Sequence, residues 1–206
     1  MSIKIGLYDF FSNTISGCFY LISVFYIGEF YKDNYFYNYH YDLISILIIC
    51  FFGYVTGLIM DHPACFLWYN RFKPKNIKIT TLHKYQKKYP EFSFRFNSDY
   101  FPILLQYLKN KNEEVGLECT RFDSLHIMIR NFSFAFVILF FSEIIKILSG
   151  DFTIINWILL FTFAGLAIIS MQRSLKFLEW YFETLLESYA AFEYKPSDWL
   201  GTEKSS

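Results

Sequence analysis

FSFAFVILFFSEIIKIL, running from Phe132 to Leu148, is followed by Ser149-Gly150-Asp151 and then by FTIINWILLFTFAGLAIISM, from Phe152 to Met171. The reading of this stretch decides the fold. Each apolar window is close to the roughly 20 residues that a helix needs to cross a hydrocarbon core of about 30 Å. A helix at the surface of a soluble domain seldom stays apolar all round for so long. In lipid every backbone N–H and C=O must be satisfied within the segment, so helix is the conformation expected for each window. A link of only three residues forces the two helices into an antiparallel hairpin. The first window carries Glu143 and Lys146 near one end, and the second carries no charge.

Working outward, two more such windows precede this hairpin. Ser12 to Phe30 is polar and small in its first half, with Asn13, Thr14, Ser16 and Gly17, and Leu43 to Met60 is free of charge. The predicted fold is therefore all-α, a polytopic membrane protein with four transmembrane helices and a small helical cytoplasmic cap. Residues 1–61 form the first transmembrane hairpin, 62–130 a cytoplasmic helical insert, and 131–172 the second hairpin. Residues 173–206 form a cytoplasmic amphipathic helix with a polar tail. Orientation follows from basic residues. The two short connections hold Lys32, with Lys146 nearby, whereas about a dozen of the 19 basic residues lie between Asp61 and Arg130, and Lys4, Arg173 and Lys176 flank the outer spans. Both termini and the insert are thus expected in the cytoplasm, with the chain in the cell's inner membrane. Tyr35, Phe36, Tyr37, Tyr39 and Tyr41 would lie at the outer interface, and Trp68 and Tyr69 at the inner one.

The chain has 206 residues, 18% of them charged, against about 25% in ordinary soluble domains. Aromatic residues reach 23%; Phe and Tyr have AT-rich codons, so the excess reads as mutational bias rather than a binding code. Net charge is zero, which removes any global field that would gather nucleic acid or anionic lipid. Cys18, Cys50, Cys65 and Cys119 form no CxxC pair and read as structural thiols. Met1 to Ile5 leads into an apolar stretch without a small-x-small cleavage site, so it reads as a retained first span. There is no Gly-rich phosphate loop and no HExxH. No cofactor, metal or catalytic residue is expected.

Within the insert, Asn97-Ser98-Asp99 is predicted to cap a helix through Ile103, Leu104, Leu105, Tyr107 and Leu108. A second helix is predicted after Gly116, through Leu117, Phe122, Leu125 and Ile129 into the third span. The fourth span continues through Leu175, Leu178, Phe182, Leu185, Leu186 and Tyr189, spaced three and four apart. Phe72 to Pro90 reads as a surface loop or short helix, and Asp61-His62-Pro63 as a span terminus. Among polar residues, Glu143 and Lys146 are an i,i+3 pair that either snorkels to the interface or lines a watery path. Asn13 and Ser16 serve helix packing, a polar constriction or a subunit contact. Lys84, Lys87 and Lys88, together with Arg121, His126 and Arg130, are candidates for a ligand or lipid headgroup, although topology alone asks for basic residues there.

In layout the chain resembles small four-span bacterial membrane proteins of anti-phage defence systems. The features that carry this are Tyr8-Asp9-Phe10-Phe11 opening the first span, the basic insert before the third, and Arg173 to Tyr181 prolonging the fourth. The resemblance implies an oligomeric effector that opens a pore or disrupts the inner membrane when a soluble partner signals infection. Arg121-Phe-Asp-Ser-Leu-His126 is similar in spacing to the Arg/His pair of HEPN ribonucleases, which would imply metal-independent RNA cleavage; the pattern is short, and a structural role for the pair is the expectation. Two functions follow. One is a homo-oligomeric channel or membrane-disrupting effector, and the other a membrane anchor or sensor recruiting a soluble partner through its cap. An intramembrane enzyme needs more polar side chains at one depth than the sequence offers.

Overall fold

The computed structural model describes residues 7–31, 43–72, 75–88, 90 and 100–193. Within them lie six helices: α1 (Leu7–Tyr31), α2 (Leu43–Phe72), α3 (Lys75–Lys88), α4 (Phe101–Lys111), α5 (Glu113–Leu148) and α6 (Ile154–Glu193). Four of these, α1, α2, α5 and α6, are long and apolar enough to cross a membrane. At about 1.5 Å per residue, the 36 residues of α5 run about 54 Å and the 40 of α6 about 60 Å, well beyond a hydrocarbon core. Each therefore continues as unbroken helix past its apolar window, as its periodicity predicts. The predicted Asn97-Ser98-Asp99 cap and the aromatic group from Tyr35 to Tyr41 lie outside the described residues.

Several boundaries differ from the sequence reading. The helix α2 does not stop at Asp61-His62-Pro63 but continues to Phe72 with Pro63 inside it. Proline lacks only one hydrogen-bond donor, and a helix can run through it with a local weakening. The segment from Phe72 to Pro90, read as a surface loop or short helix, does hold a helix, the 14-residue α3. The helix α5 starts at Glu113, ahead of Gly116, because Asn112 caps it: the Asn112 Oδ1 accepts from the Glu114 N–H at 3.0 Å.

The chain divides into two compact units, one of residues 1–72 and 124–175 and the other of 73–123 and 176–206. The borders at 61, 130 and 172 expected from hydropathy thus fall inside the first unit. Compactness follows side-chain packing, and packing extends past the apolar windows.

In the first unit, α1 and α2 approach backbone to backbone. A Cβ added at Gly17 would lie 1.6 Å from the Gly53 carbonyl oxygen, and one at Gly57 would lie 2.0 Å from that of Asn13. Only glycine fits there, the close approach that small residues permit between membrane helices. At the end of α5, Gly150 takes φ +101°. Its N–H donates to the Ile147 carbonyl at 3.1 Å and the Asp151 N–H to that of Lys146 at 3.2 Å, the paired bonds of a Schellman motif. This lets Ser149-Gly150-Asp151 reverse the chain at once. In the second unit the core is conventional. Phe101, Leu104 and Leu108 of α4 and Phe182, Leu185 and Leu186 of α6 are buried, with the Phe101 and Phe182 rings 4.8 Å apart.

Candidate functional site

The first unit reverses the usual distribution of polarity. Its exterior is apolar, with Leu47, Phe51 and Ile59 of α2 and Ile158, Phe161 and Ile169 of α6 all exposed. Its interior holds polar groups borne mainly by α5. In the most apolar window of each helix, 44% of α5 residues are buried against 11% in α2, which makes α5 the inner helix. Polar side chains on an inner helix find partners inside the bundle instead of acyl chains.

Two charged layers result. The first is built on Glu143 and Lys146. Glu143 is fully buried, and its Oε1 accepts both the Tyr26 hydroxyl of α1 at 2.6 Å and the Lys146 ammonium at 2.8 Å. The Lys146 Nζ also sits 3.8 Å from the centroid of the Tyr26 ring, a cation–π geometry. The i,i+3 pair is therefore formed, but it is buried in the bundle; Lys146 does not snorkel outward, because Tyr26 gives it a closer partner. The Glu143 Oε2 is buried with no hydrogen-bonding partner among the described residues. Leaving a buried acceptor bare costs about 1–3 kcal/mol, more when it is charged.

The second layer joins three helices. The Asp61 Oδ1 of α2 accepts from the Arg130 guanidinium at 2.5 Å and from the Asn131 Nδ2 at 3.1 Å, while the Tyr20 hydroxyl of α1 donates to the Asn131 carbonyl at 2.9 Å. Beside it on α5, His126 is buried, with its Nδ1 2.8 Å from the Ser174 hydroxyl and its ring 4.8 Å from that of Trp68. The Ser124 hydroxyl donates to the Asp9 carboxylate at 2.7 Å.

This placement revises several candidates. Arg130 and His126 cannot hold a headgroup on an open surface, since both are buried and engaged inside the first unit. Arg121 is exposed and paired with Glu118 at 3.4 Å. The hydroxyl of Ser16 and the amide of Asn13 bond to carbonyls of their own helix, those of Asn13 and Asp9. Ser16 is buried and Asn13 half-buried, at the glycine contact with α2. In the second unit Lys84 bonds to Glu183 at 2.7 Å and lies 3.4 Å from Glu179. These carboxylates push the Lys84 ammonium above its usual range, the hydrogen bond to Glu183 most. Lys88 lies over the Tyr85 ring, and Lys87 is exposed. The Tyr85 hydroxyl donates to Glu187 at 2.5 Å, and that of Tyr107 to Glu193, a bond that raises the Tyr107 phenol pKa. Among the described residues no group of three or more His, Cys, Asp or Glu is placed to hold a metal.

Sequence reading passed over Asp61, Tyr20, Tyr26 and Asn131 as members of these layers. Their partners lie 69 to 117 positions away, and no local spacing announces such pairs. The glycine contact did leave a signal. Gly53 and Gly57 form a GxxxG pattern within an apolar window. Comparison of this chain with protein-family models, characterised proteins and solved structures finds no match.

Proposed function

We propose that this chain is a membrane effector that lets ions cross the bilayer as an assembly of several copies, with Glu143 on the path. One observation carries the reading: a fully buried carboxylate on an apolar helix, held by Tyr26 and Lys146 on one oxygen and, among the described residues, by nothing on the other. A leucine pair at 143 and 146 would cost less to bury, since replacing a buried ion pair by apolar residues of similar volume is often neutral or stabilising. A charged residue in that position is the default mark of an ion or proton route. Glu143 is fully buried within one chain, so a path past it opens only when the helices part, and we assign that parting to the assembly of several copies.

The basic insert and flanks support an inner-membrane orientation with both ends in the cytoplasm. The defence role implied by the layout, with a soluble partner as trigger, belongs to this same proposal. The test is flux: the purified protein in vesicles should dissipate a potassium gradient, and Glu143→Leu combined with Lys146→Leu, which strands no charge, should remove most of that leak without loss of folding. Vesicles that stay as tight as protein-free ones, in every lipid and with every soluble partner tried, speak against it.

The second unit favours the other reading, an anchor or sensor that recruits a soluble partner. It has an apolar core of its own and an exposed surface carrying Lys87, Lys109 and Lys111. That reading expects charge reversal at Lys87, Lys109 and Lys111 to abolish co-purification of a partner while permeability never changes. Lys84 is a poor choice for that test, because its reversal would break the unit's own pair with Glu183.

A further inference from the structure

We infer that Asp61, Arg130 and Asn131 form a second closure of the ion path, separate from Glu143, and that their ion pair must break for the path to open. The inference rests on the proposed ion-conducting function. Arg130 stands thirteen positions before Glu143 on α5, about 20 Å along the helix axis, so the two charged layers sit well apart across the first unit.

Three features distinguish this layer from ordinary packing. First, it ties both α1 and α2 to α5 through Tyr20, Asp61, Arg130 and Asn131, so separating α5 from either of them requires breaking a charged or polar contact. Second, the network is incomplete: the Arg130 Nε and the Asn131 Oδ1 are buried without hydrogen-bonding partners among the described residues. Well-packed apolar residues hold a core together at least as well as a buried ion pair. A half-satisfied one is a better device for switching than for stability, because its groups gain hydrogen bonds when water enters. Third, Asp61 sits two residues before Pro63 inside α2. The proline has no N–H to donate to the Ile59 carbonyl, so α2 is weakest next to the residue that holds Arg130. The Asp61 side chain is also the more exposed partner, a third exposed against 6% for Arg130, so the pair is reached from its acidic side.

The layer thus assigns a role to Asp61 and a different one to Arg130: Arg130 is the plug, and Asp61 with Asn131 is the seat that holds it. Potassium efflux from vesicles carrying the full chain is the measurement, with monodispersity in detergent and thermal unfolding as checks of folding. Asp61→Asn and Arg130→Gln should each raise resting leak about tenfold, within the usual range of coupling between sites. The exchange of both charges, Asp61→Arg with Arg130→Asp, should bring the leak back toward wild type. Should either single variant fail to fold, Arg130→Lys is read instead. It keeps the charge and loses the planar fork, and an intermediate leak supports the closure while wild-type tightness overturns it. If Glu143→Leu combined with Lys146→Leu alters flux while Asp61 and Arg130 variants leave resting leak unchanged, the second closure is wrong and the ion path stands. If neither set of variants changes permeability, both ideas fall together.

Discussion

The two units bury opposite kinds of surface along the same two long helices. Along α6, Ile155, Ile158, Phe161 and Ile169 face outward in the first unit, and buried Ala167 accepts a hydrogen bond from the Ser133 hydroxyl. Further along, in the second unit, Leu178, Tyr181, Phe182, Leu185 and Leu186 turn inward while Glu179, Glu183 and Glu187 engage Lys84 and Tyr85. Hydrophobic burial drives the second arrangement, as in any water-soluble core. In lipid it would not hold the first together, because acyl chains are as apolar as leucine; close backbone contact and interior hydrogen bonds would do so there. The difference teaches that one substitution type will have opposite effects in the two regions.

The largest effect is expected at the glycine contact. Gly57→Leu drives a side chain into the Asn13 carbonyl and should abolish folding of the α1–α2 pair, with a loss above about 4 kcal/mol. Gly28→Ala and Gly165→Ala, whose added Cβ meets nothing within 4 Å, should be neutral or stabilising by up to about 1 kcal/mol. Thermal unfolding in detergent separates the two cases. Next comes the second unit's core, where Phe182→Ala should cost about 3–5 kcal/mol, whereas Phe161→Ala, exposed on the first unit, should cost little by the same measurement. A reversed order would break the contrast between the units.

The buried pair sharpens it further. Lys146→Leu alone strands the Glu143 carboxylate and should cost about 3 kcal/mol, while Glu143→Leu combined with Lys146→Leu should return stability to near wild type. A double-mutant cycle checks this. The smallest effect belongs to Lys84. Its ammonium is held above the usual range by Glu183, so its contribution is complete below the unfolded lysine value and is lost as pH rises through the folded one. The stability difference between wild type and Lys84→Met should therefore be flat from neutral pH to about pH 10 and shrink above it. A difference that grows on going alkaline has the wrong sign.

The long apolar helices were legible because apolar length is a local property. The run from Phe132 to Met171 needs no partner to be read, and Gly150 marks the reversal. The extensions of α5 and α6 were legible for the same reason, through the spacing of Leu178, Phe182 and Leu185. The polar layers were not. Glu143 and Lys146 announce themselves as charges in an apolar window, but whether they turn inward depends on Tyr26, which lies 117 positions earlier than Glu143. Asp61 reads as the residue that ends a span, since charge followed by His62 and Pro63 looks like a boundary. Only the arrival of Arg130 and Asn131 from α5 makes it an interior group. Lys84 reads as part of a basic surface run, and its acidic partners on α6 are equally remote in sequence.

The contrast between the two stretches of α6 can be measured directly. In a cysteine-free background, nitroxide labels at Phe161→Cys and Ala191→Cys are exposed in lipid vesicles to a relaxing agent that partitions into acyl chains, oxygen, and to one confined to water, a nickel chelate. The account predicts that oxygen relaxes the label at 161 far more than nickel does, with the order reversed at 191. Equal access of the nickel chelate to both positions would contradict it.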